Sequence, residues 1–358
     1  MNSTRPPVRG RGARANVPHR FSRQTVEEDP QALPEPGAPA TQVTAIRART
    51  IVTRNRSPDI GFNLSVNPYQ GCEHGCVYCF ARPSHAFHDL SPGLDFETRI
   101  LAKTNAVERL RAELSARSYV CEPIAIGVNT DAWQPAERRL RITRGLLETC
   151  LAFRQPVLLI TKSTLILRDL DLLAELAALR LVRVSVSVTT LDDELKRRLE
   201  PRTAGPGARL AAIARLTAAG VPVSAMVAPV IPRINDHELE AILAAAARHG
   251  ARHASYVLLR LPLEVEPLFR DWLAVHFPER AAATLRAIAS CHGGKAYDAT
   301  FHSRMRGRGV LAELIAQRFT VARRRHGLDA PLAPLDTQQF RPLSDRQPEL
   351  FQCPVPPG

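Results

Sequence analysis

Three cysteines fall within eight consecutive residues, in the segment Cys72-Glu73-His74-Gly75-Cys76-Val77-Tyr78-Cys79. Three residues separate the first from the second, and two separate the second from the third. Iron–sulfur clusters are normally held by four thiolates. A set of three leaves one iron of a four-iron cluster without a protein ligand, so that a substrate or cofactor can bind there. The segment therefore favours iron–sulfur chemistry with an open coordination position.

Two other uses of these cysteines are weaker. A structural zinc site would need a fourth ligand, such as His74 or His85, and zinc is commonly bound by two short pairs far apart in sequence. No second pair of cysteines separated by two residues exists in the chain. Disulfides are disfavoured because no secretory segment is seen at the arginine-rich N-terminus. We therefore expect a cytoplasmic protein with reduced thiols; the remaining cysteines are scattered: Cys121, Cys150, Cys291 and Cys353.

With an aromatic residue, Tyr78, just before the third cysteine, this spacing resembles the motif of the radical S-adenosylmethionine superfamily. The resemblance implies a 4Fe-4S cluster held by Cys72, Cys76 and Cys79. It also implies that S-adenosylmethionine binds the remaining iron and that the reduced cluster cleaves it to a 5′-deoxyadenosyl radical. An electron donor of the flavodoxin or ferredoxin type is the implied partner.

A longer similarity points to one branch of that superfamily. The strings at 67–72, 75–82, 130–131, 161–163 and 200–202 resemble the spore photoproduct lyase-like branch, also labelled DNA repair photolyase-related. The similarity covers roughly residues 60–260. Authentic lyases of this branch use a cysteine near the end of the second strand as a hydrogen-atom donor. This chain has Gly127-Val128-Asn129 there, and Cys121 lies before the strand. Reversal of thymine dimers is therefore not expected.

Apolar runs alternate with amphipathic helical patterns, which is typical of a parallel sheet covered by helices. The predicted strands are 64–69, 123–129, 157–161, 182–189, 221–228 and 255–259. That number fits either an open doubly wound sheet or a partial barrel. The resemblance favours an α/β fold, a six-stranded parallel (β/α)6 partial TIM barrel with a C-terminal helical extension. The cluster loop would follow the first strand.

Composition divides the chain into a nearly neutral body and basic ends. Residues 1–23 hold six arginines and no acid, and residues 300–326 hold seven arginines and one glutamate, within a net charge of +13. We expect a disordered basic tail over 1–45, because it is rich in Arg, Pro and Gly and lacks periodicity. A radical S-adenosylmethionine core is expected over 58–290, a helical extension over 291–328 and a flexible tail over 329–358.

Polar residues at predicted strand ends are candidates for the site, because ligands of parallel sheets lie at the carboxyl ends of the strands. The resemblance implies cofactor contacts for Tyr78, Asn129, Thr130, Asp131, Lys162, Ser187 and Thr189. Arg202 is a candidate for an anionic group of the substrate, and Tyr256 and Arg260 are candidates for the pocket mouth. Ordinary capping and turn contacts are the alternative for polar residues of this kind.

Two functions from different classes follow. The first is a radical enzyme that abstracts hydrogen from a substrate the sequence does not identify, with DNA or RNA contacted through the arginine-rich termini. The second is a nucleic-acid-binding protein whose metal site is only structural. No run of eighteen apolar residues occurs, so no membrane partner is expected.

Overall fold

The computed structural model describes residues 7–22 and 39–342. Its strands form two sheets. The strands of the described residues are β1 Gln42–Ile46, β2 Val52–Arg54, β3 Leu64–Val66, β4 Tyr69–Gln70, β5 Arg99–Lys103, β6 Ile124–Ile126, β7 Val157–Thr161, β8 Val182–Ser187, β9 Val223–Val230 and β10 His253–Leu258.

Helices separate most of these strands. They are α1 Asp95–Thr98, α2 Ala106–Leu114, α3 Glu137–Leu140, α4 Ile142–Phe153, α5 Leu170–Ala178, α6 Asp193–Leu199, α7 Pro206–Ala218, α8 Leu239–Arg248, α9 Val265–His276, α10 Pro278–Cys291 and α11 Val310–Arg325. None of the helices in the described ranges is long and apolar enough to cross a membrane.

The larger sheet has seven strands in the order β10-β9-β8-β7-β6-β3-β2. In this sheet the six strands β3, β6, β7, β8, β9 and β10 pair in parallel, and β2 is antiparallel to β3 at the edge. The prediction of an α/β fold with a mostly parallel sheet is confirmed, and the strand order is consistent with a partial barrel. Strand β2 was not predicted, because three residues are too few to show a period.

The smaller sheet carries the cysteine loop. Its order is β1-β5-β4, with β1 parallel and β4 antiparallel to the central strand. Strand β4 ends two residues before Cys72, so the loop starts from a fixed edge. Strand β1 lies inside the segment 1–45 for which disorder is expected, and that expectation is wrong for these residues.

The expectation of disorder also fails for residues 7–22. Residues 11–14 are buried, and the backbone N–H groups of Gly12 and Ala13 donate to the Glu97 carboxylate at 2.9 and 2.8 Å. Hydrogen bonds to a buried acid, rather than an apolar stripe, hold this segment. Periodicity therefore gives no signal for it. The remaining parts of the predicted tail, 1–6 and 23–38, lie outside the described residues.

The last described residues pack across the amino ends of the strands. The backbone of Asp329 forms an isolated antiparallel β-bridge with that of His253. The Ala333 carbonyl accepts a hydrogen bond from Arg183, and Asp336 forms an ion pair with Arg180 at 2.8 Å. The predicted flexible tail over 329–358 is therefore wrong for 329–342, because these polar contacts fix the chain. Residues 343–358 lie outside the described part of the chain.

Candidate iron–sulfur site

The backbone of the cysteine loop is fixed by hydrogen bonds to three other parts of the chain. The N–H of Cys72 donates to the Phe96 carbonyl at 2.8 Å, and the N–H of Val77 donates to the Leu199 carbonyl at 3.1 Å. The carbonyl of His74 accepts from the N–H of Arg202 at 3.2 Å. Because main-chain groups make these bonds, the loop keeps its shape whatever the thiols bind.

Gln134 holds the peptide groups on both sides of Cys72. Its amide oxygen accepts from the N–H of Glu73 at 2.9 Å, and its amide nitrogen donates to the Gly71 carbonyl at 3.2 Å. The side chain is fully buried. A buried amide that satisfies two main-chain groups at once fixes the orientation of the residue between them.

A buried ion pair between Arg82 and Glu97 lies against the cysteine loop. Both side chains have zero exposure and form an ion pair, and the Arg82 Nε donates to the Cys76 carbonyl at 3.0 Å. The Nη1 of Arg82 donates to the carbonyls of Pro92 and Gly93, both at 3.0 Å, while its Nη2 contacts Glu97. Such a pair is tolerated because its remaining hydrogen-bonding groups are satisfied.

All three thiols of the loop are free, with Cys72 and Cys76 buried and Cys79 partly exposed. Burial raises the pKa of Cys72 well above its usual range, and burial with nearby Glu200 raises that of Cys76 to about 12. Burial also raises the pKa of Cys79. Thiols in such surroundings ionise when a metal binds them, because a coordinating cation deprotonates the thiol outright. Three soft sulfur donors on one rigid loop fit an iron–sulfur cluster.

The two histidines considered for zinc have protein partners. His74 Nδ1 lies 3.4 Å from the Asp131 carboxylate, and His85 Nε2 lies 3.0 Å from the Arg99 carbonyl. Across residues 7–22 and 39–342, no group of three or more His, Cys, Asp or Glu side chains is placed so that it could hold a single metal ion.

A buried carboxylate, Glu200, connects the loop to strand β8. It accepts hydrogen bonds from the Tyr78 hydroxyl and, at 2.6 Å, from Thr189, and it forms an ion pair with Arg209. Burial acts to raise the pKa of Glu200, but Arg209, Lys162 and the two hydroxyl donors lower it to about 2. The carboxylate is therefore ionised at neutral pH and fixes the position of the Tyr78 ring. The ion pair between Glu200 and Arg209 was not predicted from the sequence, although the string at 200–202 includes Glu200.

Asp131 joins the ends of two strands to the cysteine loop. Its carboxylate accepts from Thr161 at 2.8 Å and from the N–H of Lys162 at 2.8 Å, and it faces His74. The neighbouring Thr130 donates to the Tyr69 carbonyl at 2.9 Å. The structure therefore brings the predicted residues Thr130 and Asp131 together with the loop and uses both side chains as anchors.

The other predicted cofactor residues lie around the same point. Asn129 is partly exposed, and its N–H donates to Asn67. The Lys162 ammonium lies 5.9 Å from the centroid of the Tyr78 ring. Ser187 is buried at the end of β8, and its carbonyl accepts from Arg209 at 3.0 Å. A cofactor-binding role for each of them stays a prediction.

The predicted substrate residues do not form one group. Tyr256 packs against Phe319 of helix α11 with ring centroids 4.7 Å apart, because Ala254, Tyr256 and Leu258 alternate on the buried face of β10. Its placement at a pocket mouth is therefore wrong. Arg260 does reach the cysteine loop, where its guanidinium lies 4.9 Å from the centroid of the exposed Phe80 ring.

Arg202, the third predicted substrate residue, lies beside the loop. Its guanidinium pairs with Glu73 at 3.3 Å, and it lines a surface cavity. The contact places Arg202 beside Glu73, the residue that follows Cys72 in the chain.

Comparison with known proteins identifies the family. Residues 66–246, just over half of the chain, match the model of the Radical SAM superfamily. The chain therefore belongs to that superfamily. It is 42% identical over 220 residues to an uncharacterised protein of Mycobacterium tuberculosis, a match that covers 61% of this chain and 65% of the relative. An uncharacterised protein of Methanocaldococcus jannaschii is 24% identical over 197 residues, covering 55% of this chain and 71% of the relative.

Solved structures agree on the fold. A spore photoproduct lyase complexed with dinucleoside spore photoproduct superposes with a TM-score of 0.58 at 15% identity, and the match covers 79% of each chain. A single-residue variant of spore photoproduct lyase gives a TM-score of 0.59 at 14% identity over 80% of each chain. At these identities the likeness concerns the fold alone.

Proposed function

We propose that this protein is a radical S-adenosylmethionine enzyme in which Cys72, Cys76 and Cys79 hold a 4Fe-4S cluster. The observation that carries the proposal is the set of three free thiols on one loop whose backbone is fixed from three sides. When bound, the cluster and S-adenosylmethionine supply a 5′-deoxyadenosyl radical that abstracts hydrogen from the substrate. The protein contributes binding, orientation and exclusion of water.

The residues proposed to bind S-adenosylmethionine are those that the family resemblance implies, and they lie around the cysteine loop. The Lys162 ammonium suits the carboxylate of the methionine moiety as a point charge. Tyr78 would lie beside the adenine, and its hydrogen bond to the ionised Glu200 keeps the ring in one orientation. Asn129 offers a side-chain amide at the end of β6, while Ser187 and Thr189 lie at the end of β8. In this proposal the six parallel strands form the (β/α)6 partial barrel, within a core of residues 58–290.

Nucleic acid is the substrate class that one observation favours. The Arg260 guanidinium lies 4.9 Å from the centroid of Phe80 and 5.8 Å from that of Tyr297. Exposed aromatic rings combined with arginine are the usual means by which proteins stack unpaired bases. The lyase that shares the fold was solved with a dinucleoside. Residues 124–131, which form strand β6 and the turn at its end, contain no cysteine, so the reaction proposed here is not the reversal of a thymine dimer.

The test is anaerobic reconstitution with iron and sulfide, followed by assay of 5′-deoxyadenosine formation from S-adenosylmethionine with dithionite. We expect product from the wild type and from Cys121→Ala, and none from Cys76→Ala. Cys121 is a matched control because it is a free, partly exposed cysteine outside the loop. Product from Cys76→Ala, or a colourless zinc-loaded wild type with salt-sensitive affinity for nucleic acid, would overturn the proposal in favour of a structural metal site.

A further inference from the structure

An N-terminal strap, defined as residues 9–15, crosses the cysteine loop. A Cβ atom on Gly12 would lie 1.9 Å from the Gly75 carbonyl oxygen, and one on Gly93 would lie 2.3 Å from the Ala15 carbonyl oxygen. Main chain therefore lies directly on main chain at both points. No side chain lies between Gly12 and Gly75, the residue that precedes Cys76.

A cavity of about 400 Å³ opens between the strap and the loop. Its charged lining consists of three arginines, Arg9, Arg11 and Arg202, against one carboxylate, Glu73. Glu73 immediately follows Cys72, and the N–H of Arg202 donates to the carbonyl of His74. The cavity therefore adjoins the backbone of the cysteine loop and carries a net positive charge.

The arginines of the cavity are incompletely neutralised. Arg11 is 8% exposed and donates to the carbonyls of Glu97 and Pro39 at 2.9 and 2.6 Å and to Thr41 at 3.1 Å. Burial, and then the charge of Arg202, lower the pKa of Arg11. Arg202 pairs with Glu73 at 3.3 Å while remaining about one third exposed. An anionic group that enters the cavity would lie between two guanidinium groups of like charge and relieve their repulsion.

We propose that this face of the strap and loop is the docking surface for an acidic one-electron carrier protein of the flavodoxin or ferredoxin class. A surface carboxylate of the carrier would enter the cavity between Arg11 and Arg202, and Arg9 at the rim would steer its approach. The inference rests on the proposed function, because it assumes that the loop holds the cluster. One electron passes from the carrier to the cluster, the carrier is oxidised by one electron, and no proton moves.

Charge complementarity and location support this occupant. Patches of opposite charge accelerate encounter between proteins and fix their orientation. At the glycine contact the backbone of the strap lies directly on the backbone of the loop. A carrier docked on the strap would therefore lie close to the loop that holds the three cysteines. The aromatic residues that favour nucleic acid, Phe80 and Tyr297, do not line this cavity.

The experiment measures binding of oxidised flavodoxin to the full-length reconstituted protein by calorimetry, for wild type, Arg9→Glu, Arg202→Glu and the double variant. Arg111→Glu, exposed on helix α2 outside the cavity, is the matched control. We expect the dissociation constant to rise about tenfold or more for the double variant and to change less than about twofold for the control, with affinity falling as salt rises. The ratio of the rate of cluster reduction by reduced flavodoxin to that by dithionite should fall in parallel.

Three outcomes overturn the inference: equal binding by wild type and double variant, an equal loss in the control, or loss of duplex DNA affinity with carrier binding intact. The last would assign the face to nucleic acid. Circular dichroism verifies that each variant is folded. Failure of the proposed function is seen separately, because it removes dithionite-driven cleavage of S-adenosylmethionine from the wild type whatever the carrier does.

Discussion

The Arg82 guanidinium and the Glu97 carboxylate form an ion pair from which solvent is fully excluded. Through Arg82 the pair reaches the carbonyl of Cys76, and through Glu97 it reaches the backbone of the N-terminal strap at Gly12 and Ala13. One buried pair therefore joins the cysteine loop to the N-terminal strap, whose Gly12 lies 85 residues before Glu97 in the chain.

Replacing Glu97 by Gln leaves the Arg82 charge buried without its counter-ion. We expect the free energy of unfolding to fall by about 3–5 kcal/mol, which is typical when one partner of a buried ion pair is removed. Urea denaturation of the metal-free protein under reducing conditions measures the change. Glu279→Gln, at an exposed position on α10, is the control and should change stability by less than about 0.5 kcal/mol. Equal stability of the two variants would contradict the role of the pair.

Gln134 gives a second prediction about the loop. Gln134→Leu leaves the N–H of Glu73 and the carbonyl of Gly71 without partners, at a cost of about 1–3 kcal/mol for each buried group. We expect the reconstituted variant to lose iron to a chelator several times faster than the wild type. The control is Gln317→Leu on the exposed face of α11. Identical rates of iron loss in both variants would show that Gln134 does not position Cys72.

Glu200 predicts a specific pH dependence of stability. The pKa of its carboxyl lies at about 2 in the folded protein, below the ordinary value of 4.5. Its contribution to stability is therefore complete above pH 4.5 and is lost as the pH falls toward 2, an effect of about 3 kcal/mol. Glu200→Gln should remove this part of the pH dependence of the metal-free protein. Unfolding free energies measured at pH 5 and pH 3 test it, and an unchanged difference between the two pH values in the variant would exclude the assignment.

Much of the fold could be predicted from the sequence because its strands are apolar and its helices periodic. Strand β7 has the predicted bounds, and the other parallel strands differ by a few residues at their ends. The helical region 137–153 is divided at Arg141, whose φ of 52° lies in the left-handed region, and the helical region 265–291 is divided at Pro278. Proline ends a helix by removing a donor, whereas nothing in the sequence marks Arg141.

The parts that could not be predicted depend on polar contacts between distant residues. The strap is held by hydrogen bonds to Glu97, and residues 329–342 are held by contacts such as Asp336 with Arg180. Neither leaves a periodic pattern. The face on which Tyr256 lies could have been inferred from its alternation with Ala254 and Leu258.

Phe80 provides a test of the substrate class. Phe80→Leu removes the exposed ring beside Arg260, and stacking of one base contributes about 1–3 kcal/mol. We expect the affinity for a short single-stranded oligonucleotide to fall about fivefold or more, measured by fluorescence anisotropy at fixed salt. Val120→Ala, which shortens an exposed apolar side chain, is the control. Equal affinities for wild type and both variants would remove the observation that favours nucleic acid.

The most direct test of the central proposal is electron paramagnetic resonance of the dithionite-reduced, anaerobically reconstituted protein with and without S-adenosylmethionine. Three protein thiolates predict the signal of a reduced 4Fe-4S cluster that changes when S-adenosylmethionine is added, because the cofactor binds the remaining iron. A signal that the cofactor leaves unaltered, or a protein that takes up no iron, would contradict the account.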